Sequence, residues 1–222
     1  HNFSTDTDTE VLVHLYEERG DAFVEELDGM FSFALWDGSC ERLVLARDPM
    51  GIKPLYLGIE PGGRVAFASE LSALFPLGFD FGGLDRPAIA EYFAFGYIPA
   101  PKSAFQNVSK LRPGELAVVS SGEVDRSRFY TPDISRVEQD LDTAALNLRT
   151  RVEQAVEERL QADVPLGAFL SGGIDSRIIT RILANGRGGP VSTFSVGFHG
   201  SQFDETWVAR EVASYHDKEH HE

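Results

Sequence analysis

The spacing of apolar and polar positions changes character partway along the chain. Early on, Val11, Leu12, Leu15 and Tyr16 fall at helical spacing, which predicts an amphipathic helix over Thr7 to Arg19. Thr7, with Glu10 three residues on, reads as a capping box at its start. A second short helix is expected over Ala22 to Leu27, ended by Asp28-Gly29. Met30 to Trp36 then alternates large and small side chains. Arg42 to Ala46 follows the turn Asp37-Gly38-Ser39, so the two runs read as a β-hairpin. Leu55 to Ile59 and Val65 to Ala68 form another strand pair around Pro61-Gly62-Gly63. The first 75 residues therefore predict two helices followed by an antiparallel meander. Residues 76 to 112 are rich in Gly, Pro and Phe, with one helix near Pro87 to Phe95. Glu115 to Val119 and Glu123 to Tyr130 make a last hairpin across Ser120-Ser121-Gly122.

Beyond a polar stretch, Thr131 to Gln139, that reads as a linker, strands and helices alternate. Leu141 to Leu160 is expected as a long helix with Leu141, Leu148, Val152, Ala155, Val156 and Leu160 on its apolar side. Leu166 to Leu170 reads as a buried strand, Arg177 to Ala184 as a helix, Val191 to Val196 as a strand and Glu205 to Ser214 as a helix. Such alternation implies a parallel sheet. The fold class is thus α+β, with antiparallel sheets and helices over residues 1–135, followed by an α/β parallel-sheet domain over 136–222.

Composition narrows the classes. Hydrophobic residues make up 42% and charged residues 25%, ordinary for a globular domain. A net charge of −15 argues against a general nucleic-acid binder, whose phosphate contacts need Lys and Arg. A single cysteine, Cys40, excludes an internal disulfide framework and fits a reducing cytoplasm. No apolar run reaches the roughly 18 residues of a membrane span, and no signal peptide is visible at the start. The chain begins His1-Asn2-Phe3 without Met and stops at Glu219-His-His-Glu222 as a strand should begin, which predicts a fragment cut at both ends.

The most pointed chemistry lies in Ser171-Gly172-Gly173-Ile174-Asp175-Ser176, between the apolar run Val164 to Leu170 and a helix. A strand that opens through two glycines into a helix start offers backbone N–H groups and a helix dipole to an anion. Gly172 and Gly173 permit close backbone approach, and Ser171 and Ser176 supply hydroxyls. There is no Gly-Lys-Ser or Gly-Lys-Thr, so it is not a Walker loop. The hexapeptide resembles the pyrophosphate loop Ser-Gly-Gly-x-Asp-Ser of ATP pyrophosphatases. Asp175 then suits Mg²⁺, which takes one or two carboxylates plus phosphate oxygens. The competing reading is a simple strand-to-helix turn capped by Asp175 or Ser176.

The flanks extend the likeness. Asp163 to Ser176, Thr193-Phe-Ser-Val-Gly-Phe198, Phe203-Asp-Glu205 and Glu219-His-His-Glu222 resemble the glutamine-hydrolysing asparagine synthetase family. Upstream, Gly29 to Asp37, Ala46 to Tyr56 and Phe67-Ala-Ser-Glu70 resemble its glutaminase half, and Tyr92 to Pro101 and Lys110 to Gly114 its connecting region. The likeness implies an Ntn-hydrolase-like glutaminase part with connecting region over 1–135 and the start of an ATP pyrophosphatase domain over 136–222. It implies glutamine, aspartate and ATP as substrates, with Mg²⁺. In such a ligase ATP adenylates the side-chain carboxylate of aspartate, and ammonia from glutamine then forms asparagine. The pyrophosphate contacts fall to Ser171, Gly172, Gly173, Asp175 and Ser176, with Phe169 and Val196 bracketing the adenosine. Asp8 aligns with the aspartate that holds the amino group of glutamine. As a helix-start acid it also has a plain electrostatic role. The resemblance allows a homodimer, involves neither nucleic acid nor membrane, and leaves the oligomeric state open.

Departures qualify the likeness. The nucleophilic cysteine at a mature N-terminus, with its α-amine as base, is expected before His1. Cys40, in a hairpin turn without a free amine, does not replace it. The fragment alone is therefore expected to be inactive. Arg177 stands where the family has Ser or Thr, and serves either a phosphate contact or solvent. Arg47 and Asp48 are assigned to structure, as an ion pair anchoring a loop. Six histidines, His1, His14, His199, His216, His220 and His221, show no zinc spacing. Two rival readings remain: a β-lactam synthetase-like or other amide-forming ligase with a different acceptor, and a non-catalytic nucleotide-binding remnant.

Overall fold

The computed structural model describes residues 1–135, 138–162, 164–186, 192–198, 200–201, 204–215 and 219–222. Asp163, Val191, Phe203, His199 and His216, singled out above, lie outside the described residues. The chain divides into two compact units, His1–Ile134 and Ser135–Glu222.

In the first unit, α1 (Thr9–Arg19) runs into a 3₁₀ segment, Gly20–Glu26. Helix α1 starts two residues later than the capping-box reading, with Asp8 rather than Thr7 at its N-cap and no side-chain capping bond. Glu10 does reach back, but past Thr7. It accepts the Ser4 and Thr5 N–H groups, both at 2.7 Å. The Ala22 to Leu27 helix is this tighter 3₁₀ form, which buries Phe23 and Val24 within two turns.

Strands β1 (Ser32–Asp37) and β2 (Arg42–Arg47) form the expected hairpin. The meander does not continue from there. The four-stranded sheet has the order β1-β2-β6-β7, and β2 pairs with β6 (Glu115–Ser120), whose own hairpin partner is β7 (Glu123–Arg128). Strands β3 (Tyr56–Ile59) and β4 (Val65–Ala68) form a separate three-stranded sheet with β5 (Val108–Lys110).

The physical reason lies in the unbroken apolar run Leu43-Val44-Leu45-Ala46. A strand half-exposed in a meander would alternate, whereas one buried on both faces need not. Val44 and Ala46 pack with Phe23, Val24 and Leu116 beneath Leu12, Leu15 and Tyr16 of α1. Leu45 faces the other way and packs with Ala117, Leu57, Leu55 and Leu111. Each such leucine buried contributes about 2 kcal/mol. A third cluster, Ala66, Leu74, Phe79 and Val108, fills the far side of β3 and β4. Helix α2 (Arg86–Phe95) is capped by Asp85, whose carboxylate accepts from Ala88 N at 3.1 Å.

Arg47 and Asp48 serve structure, yet among the described residues they form no ion pair with each other. The Asp48 side chain is buried and accepts three backbone N–H groups, Met50 at 3.1 Å, Ile52 at 3.0 Å and Lys53 at 2.9 Å. Arg47 donates to three backbone carbonyls, Gly51 at 2.7 Å, Lys53 at 2.8 Å and Leu111 at 2.6 Å. Each charge therefore neutralises backbone dipoles of the loop rather than its neighbour.

In the second unit, α3 (Leu141–Glu157) is capped by Asp140, which accepts from Thr143 N at 2.9 Å. It ends before Leu160 because the chain tightens into shorter-range bonds, Arg159 N to Val156 O and Leu160 N to Glu157 O. Leu141 and Leu148, expected on its apolar side, are exposed. Strands β8 (Gly167–Phe169), β9 (Ser192–Phe194) and β10 (His220–His221) form a parallel sheet in the order β10-β9-β8. Helices α4 (Ile174–Asn185) and α5 (Thr206–Ser214) follow β8 and β9, and Ala209 and Ala213 of α5 bury Leu170. No described helix is long and apolar enough to cross a membrane.

Loss of the Asp48 carboxylate orphans three N–H groups in a buried loop. Asp48→Ala is expected to lower unfolding free energy by about 3 kcal/mol, and Asp48→Asn by less, as read from urea denaturation midpoints.

Candidate functional site

The turn between β8 and α4 forms one wall of the candidate site. Leu170 is anchored beneath it, its N–H donating to Phe194 O at 2.8 Å and its carbonyl accepting the Ser195 hydroxyl. From that fixed point the chain turns through Ser171, Gly172 and Gly173 into α4, which begins at Ile174. The helix thus opens three residues earlier than Arg177. Gly173 is its N-cap, so neither Asp175 nor Ser176 caps it, and no side chain does.

Ser171 and Ser176 face each other, Oγ to Oγ at 3.0 Å. Ser176 Oγ accepts from Ser171 N at 3.2 Å and lies 3.1 Å from the Gly173 carbonyl. Ser171 Oγ accepts from Gly173 N at 3.2 Å. The two hydroxyls therefore knit the loop to itself. Arg177 braces it from below, donating to the Gly172 carbonyl at 2.6 Å. That contact answers the question its position raised: the guanidinium holds loop backbone and does not run free into solvent.

One contact was not foreseen. Glu205, immediately before α5, accepts the Gly172 N–H on Oε2 at 2.9 Å. The Phe203-Asp-Glu205 motif drew attention to this residue but gave no reason to place it on the loop. Nothing in local spacing links positions 33 apart.

Ser171, Ser176 and Glu205 border a cleft of about 340 Å³ that is also lined by Phe169, Phe194, Val196 and Phe198. Phe169 and Val196 are 84% and 70% exposed, so they are not core residues of this unit. An exposed aromatic and an exposed aliphatic side chain at adjacent strand ends offer a flat apolar surface to a planar ligand. Gly172, Gly173 and Asp175 stand at the turn itself rather than along the cleft wall. Asp175 is exposed in the first turn of α4, and its carboxylate has no partner among the described residues. A free carboxylate beside a turn of backbone N–H donors has the donor chemistry for Mg²⁺ held jointly with phosphate oxygens.

In the first unit, Asp8 borders a second cleft, of about 640 Å³, with Leu12, Gly29, Phe31, Phe33 and Lys53. Its carboxylate is exposed, makes no capping bond, and among the described residues accepts only a long 3.3 Å contact from the neighbouring Thr9 hydroxyl. The segment ahead of it is held by Glu10. Hydrogen bonds first from the Thr5 hydroxyl and then from the Ser4 backbone hold that carboxyl at a pKa of about 2.

Cys40 is exposed but is not activated as a nucleophile. Its thiol donates to Asp37 Oδ2 at 3.0 Å, and that hydrogen bond pushes its pKa up, away from the thiolate. The two described histidines near the end of the chain serve the sheet. His220 Nδ1 lies 2.9 Å from the Thr193 hydroxyl, and His221 stacks on Phe194 at 4.9 Å between ring centres.

With that geometry in view, the chain belongs to the glutamine amidotransferase domain family, whose model matches residues 1–130. The remainder has a narrower affiliation: residues 147–222 match the family model described as asparagine synthase. Curated relatives agree along nearly the whole chain. Asparagine synthetase [glutamine-hydrolyzing] 1 of Bacillus subtilis is 34% identical over 96% of this chain and 34% of its own length. A putative asparagine synthetase [glutamine-hydrolyzing] of Mycobacterium tuberculosis is 38% identical over 93% of this chain and 33% of its own. The Zea mays asparagine synthetase is 35% identical over 100% and 34% respectively. The chain thus spans about a third of the length of the curated relatives it matches. Among solved structures, the B. subtilis glutamine phosphoribosylpyrophosphate amidotransferase is 18% identical, with a TM-score of 0.41 over 87% of this chain and 40% of that one. A likeness that weak carries no argument.

Because its carboxyl is depressed, Glu10 adds stability that is present above its ordinary value of 4.5 and is lost as pH falls through about 2. An NMR titration is expected to place its midpoint near 2, and Glu10→Gln to speed amide exchange at Ser4 and Thr5 without changing exchange in β2.

Proposed function

We propose that the full-length protein is a glutamine-dependent asparagine synthetase. One observation carries this reading. The Ser171–Ser176 turn joins a parallel strand to a helix start beside an apolar cleft, in a chain whose first 130 residues match an amidotransferase domain. In this reading residues 1–135 are part of the glutaminase with its connecting region, and residues 136–222 open the synthetase domain.

The residues divide the work as follows. Phe169 and Val196 bracket the adenosine. The backbone of Gly172 and Gly173, with the hydroxyls of Ser171 and Ser176, receives the β- and γ-phosphates. Asp175 holds Mg²⁺, which when bound offsets charge on the departing pyrophosphate. The side-chain carboxylate of aspartate attacks the α-phosphorus of ATP, forming an aspartyl-AMP anhydride and releasing pyrophosphate. Ammonia then attacks the acyl carbon and AMP departs, leaving asparagine. Donors fixed in advance at the turn stabilise the charge that accumulates on the leaving group.

Asp8 receives the α-amino group of glutamine. The nucleophile that releases ammonia is assigned to a cysteine ahead of His1, since Cys40 is held as a thiol by Asp37.

In the full-length protein, aspartate-dependent ATP–pyrophosphate exchange is expected to fall at least about 100-fold in Asp175→Asn, with glutamine hydrolysis unchanged. Asp8→Ala is expected to raise the KM for glutamine by about tenfold or more and to leave ammonia-dependent synthesis intact. Exchange supported by some other acid but not by aspartate would overturn the assignment of the acceptor.

A further inference from the structure

A loop suited to anions already holds one. Glu205 stands at the N-cap of α5, yet its carboxylate makes no capping bond to that helix. It reaches instead across to the β8–α4 turn, where Oε2 accepts the Gly172 N–H at 2.9 Å. The contact is built into the packing. A Cβ on Gly172 would lie 2.8 Å from Glu205 Oε2 and 3.1 Å from Glu205 Cβ, so glycine at 172 makes room for this side chain. Around it, Thr206 N–H and hydroxyl are taken by Asp204, at 3.1 Å and 2.8 Å. Arg177, the nearby cation of the loop, donates from Nη2 to the Gly172 carbonyl, while its buried Nε has no partner among the described residues.

We propose that Glu205 is a specificity-determining residue of this turn: its carboxylate occupies the Gly172 N–H in place of phosphate and admits polyphosphate only with a divalent cation. This inference rests on the reading of the turn as a polyphosphate site. One N–H does not serve two anions. Metal-free polyphosphate must displace Glu205 and then lie beside the displaced carboxylate, with like charges a few ångströms apart. A divalent cation reverses the balance. Mg²⁺ prefers hard oxygen ligands and tolerates a carboxylate next to phosphate, so the displaced Glu205 faces a cation instead of bare charge. Glu205 thereby selects the metal complex against the free anion, by repelling the wrong ligand.

The test is calorimetry on the full-length protein with inorganic pyrophosphate, in EDTA and in Mg²⁺, for wild type, Glu205→Gln and Glu205→Ala. Gln keeps the side-chain size and removes the charge, while Ala removes both. In EDTA both variants are expected to bind pyrophosphate about tenfold tighter than wild type. In Mg²⁺ the difference is expected to close. Equal or weaker binding by Glu205→Gln in EDTA overturns the proposal, and so does a tenfold gap that persists unchanged in Mg²⁺. If no form binds pyrophosphate under either condition, the polyphosphate reading of the turn falls, and this inference with it. Wild-type binding without a variant effect refutes the role of Glu205 alone.

Discussion

Backbone N–H groups that lie near the start of a helix need an acceptor, and in this chain that need organises the second unit. Where β8 gives way to α4, the donors of Gly172 and Gly173 are satisfied by Glu205 and Ser171. Each acceptor is itself held. Ser171 is locked against Ser176, and Glu205 is carried on α5, whose Ala209 and Ala213 close over Leu170. Leu170 in turn is tied to β9 through the carbonyl of Phe194 and the hydroxyl of Ser195. The turn is thus clamped from the strand beneath it, from the helix after it and from the helix of the next β–α unit. A ligand that competes for these donors finds the backbone in place, but must displace Glu205 to reach the Gly172 N–H.

The same economy recurs in the first unit with a different outcome. Asp48 and Arg47 are adjacent and opposite in charge, so their sequence suggests an ion pair. Each instead takes three groups of the loop backbone, the carboxylate its N–H donors and the guanidinium its carbonyls. A buried carboxylate with three charge-assisted hydrogen bonds is well satisfied, whereas an ion pair there would have left loop dipoles unpaired. The loop so fixed brings Lys53 to the edge of the cleft that Asp8 borders.

Much of the secondary structure was legible because its periods are clean. Helices α2, α3, α4 and α5 and the strands of the three expected antiparallel pairs lie within a few residues of where spacing and turn residues put them. The misreadings have a common cause. Strand β5 is three residues long, too short for alternation to register. The split of the expected meander into two sheets depends on β2 pairing with β6, a partner far along the chain. Its one local trace is the unbroken apolar run at Leu43 to Ala46, which marks burial on both faces but names no neighbour. The capping box at Thr7 failed because Glu10 reaches past Thr7 to the N–H groups of Ser4 and Thr5, and a pattern of residue types does not rank competing donors.

At the candidate site the division is sharp. The hexapeptide by itself determined the residue types, the two glycines that permit a tight turn and the helix start that follows, because these are local consequences of backbone geometry. The flanking segments, through their family resemblance, placed Phe169 and Val196 at strand ends, without telling whether they are core or surface. Only the tertiary structure decided that both are exposed along one cleft, that Arg177 grips the loop carbonyl, and that Glu205 meets the Gly172 N–H from 33 positions away. The physical reason is that hydrogen bonds and exposure belong to atoms brought together by packing. Which acceptor reaches an N–H depends on how α5 lies against the sheet, and no local pattern encodes that distance.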